Sequence, residues 1–181
     1  MNLVIFTFEN KLNLENGFLM ELDKTSWSIL ACLQENARAS LADIGREVGL
    51  SAPAVGERIT KLEEAGIILG FRIEVDYEKT GYALKAFIEF RANSGKLTPF
   101  LNYISNLDEV LECHRVTGNH CIYLKIVVQN SGHLQELLAS MGEYGETTTS
   151  IILSSPITHR IFTKHEMKIK GRGLSAKGPQ G

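Results

Sequence analysis

Hydrophobic positions at helical spacing predict three helices in the first third of this 181-residue chain. The first spans residues 22–36, where apolar side chains recur every three or four positions after Asp23, whose negative charge favours a helix N-terminus. The second begins after Ser40, which has the residue type and spacing of an N-cap, and stops at Gly49.

The third helix begins after Ser51, a second N-cap residue, and ends at Gly66. Pro53 suits its first turn, where the N–H that proline lacks is not needed. Residues 49–51 alone separate the second and third helices, so the two must meet at a steep angle, with the small Gly45 between them. This arrangement is typical of the helix-turn-helix that binds DNA, and the alternative is a three-helix bundle with a purely structural role.

A DNA-binding third helix enters the major groove, and the residues off its buried stripe then meet bases and phosphates. Arg58 and Lys61 can supply charge to phosphates, and Glu57 can accept a hydrogen bond from a cytosine amino group. For each residue the alternative is a solvated helix face, on which Glu57 and Lys61 form an ordinary i,i+4 pair. The predicted DNA-binding residues are Ser51, Ala52, Pro53, Ala54, Gly56, Glu57, Arg58, Thr60 and Lys61.

The pattern changes from helical to alternating after the third helix. Apolar Phe71, Ile73 and Val75 alternate with charged residues, which predicts a linker strand. Alternating and helical segments then follow in the order strand, helix, strand, strand, helix, strand, with Ser131 capping the second helix and the last strand at residues 147–155. This order predicts a ferredoxin-like antiparallel sheet with helices on one face.

The fold class is therefore α+β, with a winged-type helix-turn-helix domain before a ferredoxin-like βαββαβ sensor domain. The sheet face without helices needs a cover, which a second subunit can supply. The predicted divisions are an N-terminal extension at residues 1–19, with Met20 an alternative start of translation, a DNA-binding domain at 20–66, a linker strand at 67–82, a ligand-sensing and oligomerisation domain at 83–160 and a flexible basic tail at 161–181.

Composition narrows the class of protein. The chain is 44% hydrophobic and 22% charged, which is ordinary for a globular protein. Its net charge of −2 gives no overall attraction to nucleic acid, so DNA binding must depend on local placement of charge. Three cysteines do not form a disulfide framework, and no apolar run reaches the roughly 20 residues of a membrane span. We expect a cytoplasmic protein with no membrane partner.

These predicted segments, taken in their order along the chain, resemble the Lrp/AsnC family, also called feast/famine regulators. The likeness covers about residues 22–159 with matching spacing. The residues that carry it are Leu22-Asp23, Ile29-Leu30, Leu33, Ala37-Arg38, Leu41-Ala42-Asp43-Ile44-Gly45, Val48-Gly49-Leu50-Ser51, Val55-Gly56-Glu57-Arg58-Ile59, Leu62-Glu63-Glu64-Ala65-Gly66-Ile67-Ile68, Glu112-Cys113-His114-Arg115-Val116-Thr117-Gly118 and Tyr123-Leu124-Lys125.

The resemblance implies a transcriptional regulator whose C-terminal domain senses a small molecule such as an amino acid. It also implies a homodimer that assembles into tetramers or octamers, with the effector between subunits. Many family members carry acidic residues in the sensor turn, whereas this chain has Asn119 and Cys121, which supply no full charge for an ammonium group. The effector-binding residues that the resemblance implies are Thr117, Gly118, Asn119, His120, Cys121, Ser150, Ile151 and Ile152.

Metal binding and tetrapyrrole decarboxylation are the two alternatives to a regulator. Cys113, His114, His120 and Cys121 are residue types that bind zinc, but neighbours along a strand point to opposite faces, so we expect neither a metal nor another cofactor. Some proteins of the same architecture are similar to sirohaem decarboxylases, and His114, His120 and Arg115 could act as acid and anchors in a tetrapyrrole decarboxylase. The sensor turn lacks paired carboxylates and a nucleophile with its base, so we expect a regulator and not an enzyme.

Overall fold

The computed structural model describes residues 22–158 and 160–163. Among these, residues 22–72 and 160–163 belong to one compact unit and residues 73–158 to a second. The predicted extension at residues 1–19 lies outside the described residues, as does the part of the predicted tail beyond residue 163.

The first unit contains α1 (Lys24–Glu35), α2 (Leu41–Val48) and α3 (Ala52–Glu64). α2 and α3 start where the sequence predicts, and α1 starts two residues after the predicted residue 22. At each start a side-chain oxygen of the N-cap accepts a hydrogen bond from a backbone N–H in the first turn. The caps are Asp23, Ser40 and Ser51. Gly49, in the left-handed region at φ 72°, ends α2 as predicted.

The core of this unit is small and lies where the three helices meet. Ile29, Ile44 and Val55 are buried there, one from each helix. The turn between α2 and α3 packs tightly because residue 45 is glycine: a Cβ at Gly45 would lie 2.4 Å from the Leu50 carbonyl oxygen. The steep approach of α2 and α3 therefore depends on the absence of a side chain at this position.

The second unit contains β1 (Leu84–Ala92), α4 (Leu97–Ile104), β2 (Val110–Arg115), β3 (Ile122–Val128), α5 (Ser131–Met141) and β4 (Gly145–Ile151). The strands lie in the order β2-β3-β1-β4, and each neighbouring pair is antiparallel. This topology confirms the predicted α+β class with a ferredoxin-like sensor domain.

The two faces of the sheet differ in burial. On one face, Ile88, Phe90 and Leu124 pack against the helices, and the rings of Phe90 and Phe100 stack with centroids 3.6 Å apart. The other face carries the alternate residues, among them Phe87, whose side chain remains 44% exposed. We refer to this second face as the open face.

The predicted linker strand is absent, so that prediction was wrong for the single chain. Residues 67–82 contain one turn of 3₁₀ helix, Glu78–Thr80, and no strand. Leu69 and Ile73 are 81% and 86% exposed. The alternating pattern is real, but a strand forms only where another strand accepts and donates its hydrogen bonds, and no strand of the described chain lies beside this segment.

Smaller differences also have local causes. The N-cap of α5 is Asn130, whose side-chain oxygen accepts from the His133 N–H at 3.0 Å, and not Ser131 as predicted. β4 begins at Gly145 and ends at Ile151, short of residue 155, because its pairing with β1 ends where Ile151 is opposite Ala86. Residues 161–163, assigned to a flexible tail by the sequence, lie in the helical unit.

Candidate nucleic-acid interface and effector site

The predicted DNA-binding residues divide into two groups on α3. Val55 and Leu62 mark the buried side of the helix. Five of the predicted residues are exposed on the opposite side, and four are half-buried along its flanks. The exposed residues are Ser51, Pro53, Glu57, Thr60 and Lys61, and the half-buried ones are Ala52, Ala54, Gly56 and Arg58.

Arg58 has partners within the protein. Its guanidinium donates to the two carboxylate oxygens of Asp23 at 2.8 and 3.0 Å and to Oγ of Ser26 at 3.0 Å. The pKa of Asp23 falls from 3.8 to about 2, because the Ser26 hydroxyl and backbone N–H donate to its carboxylate and Arg58 lies beside it. Arg58 thus ties α3 to the start of α1.

The sequence contained a signal for this position of Arg58. Residue 58 lies three positions after buried Val55 and four before buried Leu62, which places it at the edge of the packed stripe. Gly56 also has a packing position: a Cβ there would lie 3.4 Å from Cδ1 of Leu41. Gly56 and Arg58 are therefore less exposed than the five exposed residues of the predicted set.

Charge on the helical unit is unevenly placed. Acidic residues outnumber basic ones between residues 22 and 66. On the exposed side of α3, Lys61 supplies positive charge beside Glu57 and Glu64. Phosphate contacts from this side must consequently depend on few cations, and the net charge of residues 22–66 does not attract DNA.

The predicted effector residues belong to two parts of the sensor unit. Residues 117–121 form the turn between β2 and β3, closed by a hydrogen bond from Val116 N–H to the Cys121 carbonyl at 3.0 Å. Ser150 and Ile151 end β4, and Ile152 follows, with its N–H donating to the Lys85 carbonyl at 2.8 Å. β3 and β4 flank β1 on opposite sides, so both parts lie beside β1.

The register separates the three predicted residues at the end of β4. Ser150 is opposite Phe87 and shares the open face with it. Ile151 is opposite Ala86, which is buried on the helix-covered face. Ser150 and His120 are thus available to one site on the open face, and Ile151 is not part of that face.

Glu89 is a candidate site residue that sequence reasoning missed. It lies on β1, opposite Tyr123 of β3 and Thr148 of β4, and its Oε2 is 3.2 Å from Nδ1 of His120. Burial and the charge and hydrogen bond of Glu89 raise the pKa of Tyr123. The alternation along β1, which places Phe87, Glu89 and Arg91 on one face, was the signal that could have identified it.

The candidate zinc ligands of the sequence lie on β2 and in the turn before β3. Cys113 is opposite buried Leu124, whereas His114 is opposite Tyr123 on the open face. The described residues contain no group of three histidine, cysteine or acidic side chains that could hold a metal ion. Glu112 instead accepts from Lys125 at 2.8 Å and contacts His114 at 3.2 Å, and these interactions lower the pKa of Glu112.

Within the described chain, none of the helices has the length and apolar character needed to cross a membrane.

Comparison with known proteins matches each unit to a family model. The model for the AsnC-type helix-turn-helix domain matches residues 22–63, and the model for the Lrp/AsnC ligand binding domain matches residues 85–162. The regulatory protein AsnC of Escherichia coli is 33% identical over 153 residues, which cover 82% of this chain and 99% of AsnC. The chain belongs to the Lrp/AsnC family.

Solved structures of Lrp/AsnC regulators agree with this assignment. LrpC of Bacillus subtilis is similar with a TM-score of 0.72 and 31% identity, covering 75% of this chain and 97% of LrpC. A transcriptional regulator from Neisseria meningitidis, solved as a complex with L-Met, has a TM-score of 0.71 and 26% identity, covering 76% of this chain and 93% of that one. This Lrp/AsnC protein is a helix-turn-helix transcriptional regulator with a small-molecule-binding domain, and the comparisons do not favour the decarboxylase alternative.

Proposed function

We propose that this protein is a non-enzymatic, cytoplasmic regulator that binds a specific DNA sequence as a homodimer and changes its DNA affinity when a small molecule binds its sensor domain. The observation that carries the proposal is the close packing of α2 and α3 at Gly45, which leaves one side of α3 exposed. That geometry suits insertion of α3 into a major groove.

In this proposal, Ser51, Pro53, Glu57, Thr60 and Lys61 face the DNA. Arg58 has a different role, because its hydrogen bonds to Asp23 and Ser26 hold α3 in place. A residue that orients the recognition helix changes affinity without reading bases or contacting phosphates. Substitution of Arg58 therefore reports mainly on the stability and orientation of the helical unit.

The dimer is proposed to form through the open face of the sheet. Phe87 is 44% exposed at its centre, and the apolar Leu69, Phe71 and Ile73 before β1 are also exposed. A second subunit would cover Phe87 and supply a strand partner for the linker, which explains why the linker has a strand pattern but no strand. Two copies of α3 would then meet a roughly palindromic site, and further assembly into tetramers or octamers remains part of the proposal.

The effector is proposed to bind beside the turn that contains Asn119, His120 and Cys121, near Ser150 and Ile152. Glu89 supplies the carboxylate that the turn lacks, and His120 is 3.2 Å from it. The Neisseria meningitidis regulator was solved with L-Met, and a paired carboxylate and imidazole suit a ligand of that class, which carries an ammonium and a carboxylate. Binding would shift the populations of DNA-competent assemblies.

The proposal is tested by fluorescence anisotropy on a duplex from upstream of the protein's own gene, with a scrambled duplex as control, across a salt series. We expect salt-dependent binding to both and at least a tenfold preference for the first. If this duplex and additional duplexes from the upstream region all bound with the same affinity as scrambled DNA, sequence-specific regulation would be contradicted.

A further inference from the structure

A short segment beyond the last sensor strand contacts the first helix of the helix-turn-helix. The side-chain amide of Gln34 donates to the Phe162 carbonyl at 2.9 Å and accepts from the Phe162 N–H at 2.8 Å. One side chain thereby satisfies both main-chain groups of a residue 128 positions away, as a neighbouring strand would. These two hydrogen bonds hold the segment in place beside α1.

Side chains of the same segment add apolar contacts. Ile161 lines an open groove of about 430 Å³ between α1 and α2, together with Cys32 and Ile44. The ring of Phe162 lies against that of Trp27, with centroids 5.9 Å apart. Trp27 and Gln34 are seven residues apart, so two helical turns on one side of α1 hold the segment.

The segment belongs to the sensor domain by sequence and to the helical unit by packing. The ligand-binding family model extends to residue 162, yet residues 160–163 lie in the compact unit of the helices. The last sheet hydrogen bond of the preceding strand is made by Ile152. The eight Cα–Cα steps from residue 152 to residue 160 can extend to at most about 28 Å, so the position of the strand end limits where the segment can lie.

We propose that the groove between α1 and α2 is a docking surface for residues 160–162 of the same chain, and that the docked segment braces α1 for DNA binding. This inference rests on the proposed function. α1 also carries Ser26 and follows Asp23, which together hold Arg58 of α3. A brace on α1 therefore acts on the orientation of the recognition helix through this pair.

The segment is exposed enough to dock on α1 reversibly. Ile161 is 42% exposed and Phe162 is 72% exposed, so docking buries little apolar surface. The helical unit itself has a small core, and a weak additional contact changes the population of its folded and correctly oriented form. Because the segment leaves the strand that ends beside Ser150, a change at the proposed effector site can alter docking.

The docking step can be followed with Trp27, the single tryptophan of the sequence. Acrylamide quenching of full-length Gln34→Ala and Phe162→Ala proteins should give a Stern–Volmer constant about twofold higher than wild type, because the segment no longer shields the ring. Gln34→Ala is the sharper variant, since it leaves both rings of the Trp27–Phe162 contact in the protein. Gln135→Ala, an exposed glutamine of α5, is the matched control and should quench like wild type.

DNA binding by the same variants distinguishes docking of the segment from the effect of docking on DNA affinity. Gln34→Ala should lower affinity for the upstream duplex about threefold to tenfold, and Gln135→Ala should not change it. Unchanged quenching in Gln34→Ala would overturn docking, and increased quenching with unchanged DNA affinity would overturn the brace. Failure of the wild-type protein to bind any duplex would defeat both the brace and the proposed function, while the quenching result would still decide docking.

Dilution tests which copy supplies the segment. Quenching of the wild-type protein should be independent of concentration, because the segment is part of the same chain. A quenching constant that rises on dilution while circular dichroism is unchanged would assign the segment to a second copy and overturn the proposal.

Discussion

Arg58 on the third helix donates hydrogen bonds to both carboxylate oxygens of Asp23, the residue that caps the first helix. This pair joins two residues that are 35 positions apart in sequence, one in α3 and one at the start of α1. The Asp23 carboxylate thus has two functions, since it also accepts from the Ser26 N–H at 2.7 Å. A side chain predicted to bind DNA thus also joins the third helix to the start of the first.

The Asp23–Arg58 pair predicts a dependence of stability on acid pH. The folded-state pKa of Asp23, about 2, is below its ordinary value of 3.8, so its contribution is complete above about pH 4 and is lost as pH falls towards 2. Asp23→Asn keeps an N-cap side chain but removes the charge. We expect it to lower the free energy of unfolding at pH 6 by about 0.5–1 kcal/mol, given the exposure of the pair, and to match wild type near pH 2.

Urea unfolding followed by Trp27 emission at several pH values measures this effect. Asp108→Asn, an exposed aspartate of the sensor unit, is the control and should retain the wild-type pH dependence. Equal stability of Asp23→Asn and wild type at pH 6 would show that the pair contributes nothing.

Lys61 is expected to contact a phosphate through its exposed position on α3. Lys61→Ala should weaken binding to specific and scrambled duplexes alike and reduce the slope of log affinity against log salt by about 1.8 for the dimer, which is about 0.9 for each copy of α3. Lys79→Ala removes an exposed lysine between the two units, in residues 67–82, and should leave the slope unchanged. An unchanged slope in Lys61→Ala would place the DNA on another side of the helix.

Local signals in the sequence predicted the helices and strands well. Ser40 and Ser51 cap their helices and Gly49 ends α2, because caps depend on a residue and its neighbours within one turn. Features that depend on distant residues were not predictable in this way. Glu89 meets His120 only after β1 and β3 pair, and the part of the chain that the structure describes provides no strand partner for the pattern around Ile73.

The segment around Phe162 shows a second reason why sequence reasoning fell short. Its neighbours are basic and glycine-bearing, which indicates a flexible tail. Its partner on α1 is Gln34. The sequence around Gln34 predicts an ordinary exposed helix residue, because nothing there indicates a contact with a distant main chain. Contacts between a side chain and a remote backbone have no periodicity, and they become visible only in the folded chain.

Glu89 is predicted to determine the response to an amino acid effector. In a thermal-shift screen of the twenty amino acids, we expect at least one to raise the Tm of the wild-type protein by roughly 2–4 °C. Glu89→Gln should abolish that shift, because it removes the carboxylate that balances the ammonium group. Glu146→Gln disrupts a similar pair, with Arg91 at 2.6 Å on the same sheet, and should retain the response. A full response in Glu89→Gln would remove this residue from the site.

The open face is predicted to be the dimer interface. Phe87→Asp should convert the dimer into a monomer in sedimentation analysis, because it places a charge at the centre of an apolar contact. Ala139→Asp adds the same charge to the exposed side of α5 and should leave the dimer intact. A dimeric Phe87→Asp protein would show that another surface forms the interface.

Gly45 is predicted to be the least replaceable small residue of the helical unit. A Cβ at this position would lie 2.4 Å from the Leu50 carbonyl oxygen, which belongs to the turn backbone and cannot rotate away. Gly45→Ala should therefore lower the free energy of unfolding by about 1–3 kcal/mol and weaken DNA binding, because α2 and α3 must separate. Gly56→Ala meets only the flexible end of Leu41 at 3.4 Å, and the gain in helix propensity should leave it at least as stable as wild type. Urea unfolding followed by Trp27 emission compares the two, and equal stability of Gly45→Ala and Gly56→Ala would contradict the tight turn on which the orientation of α3 depends.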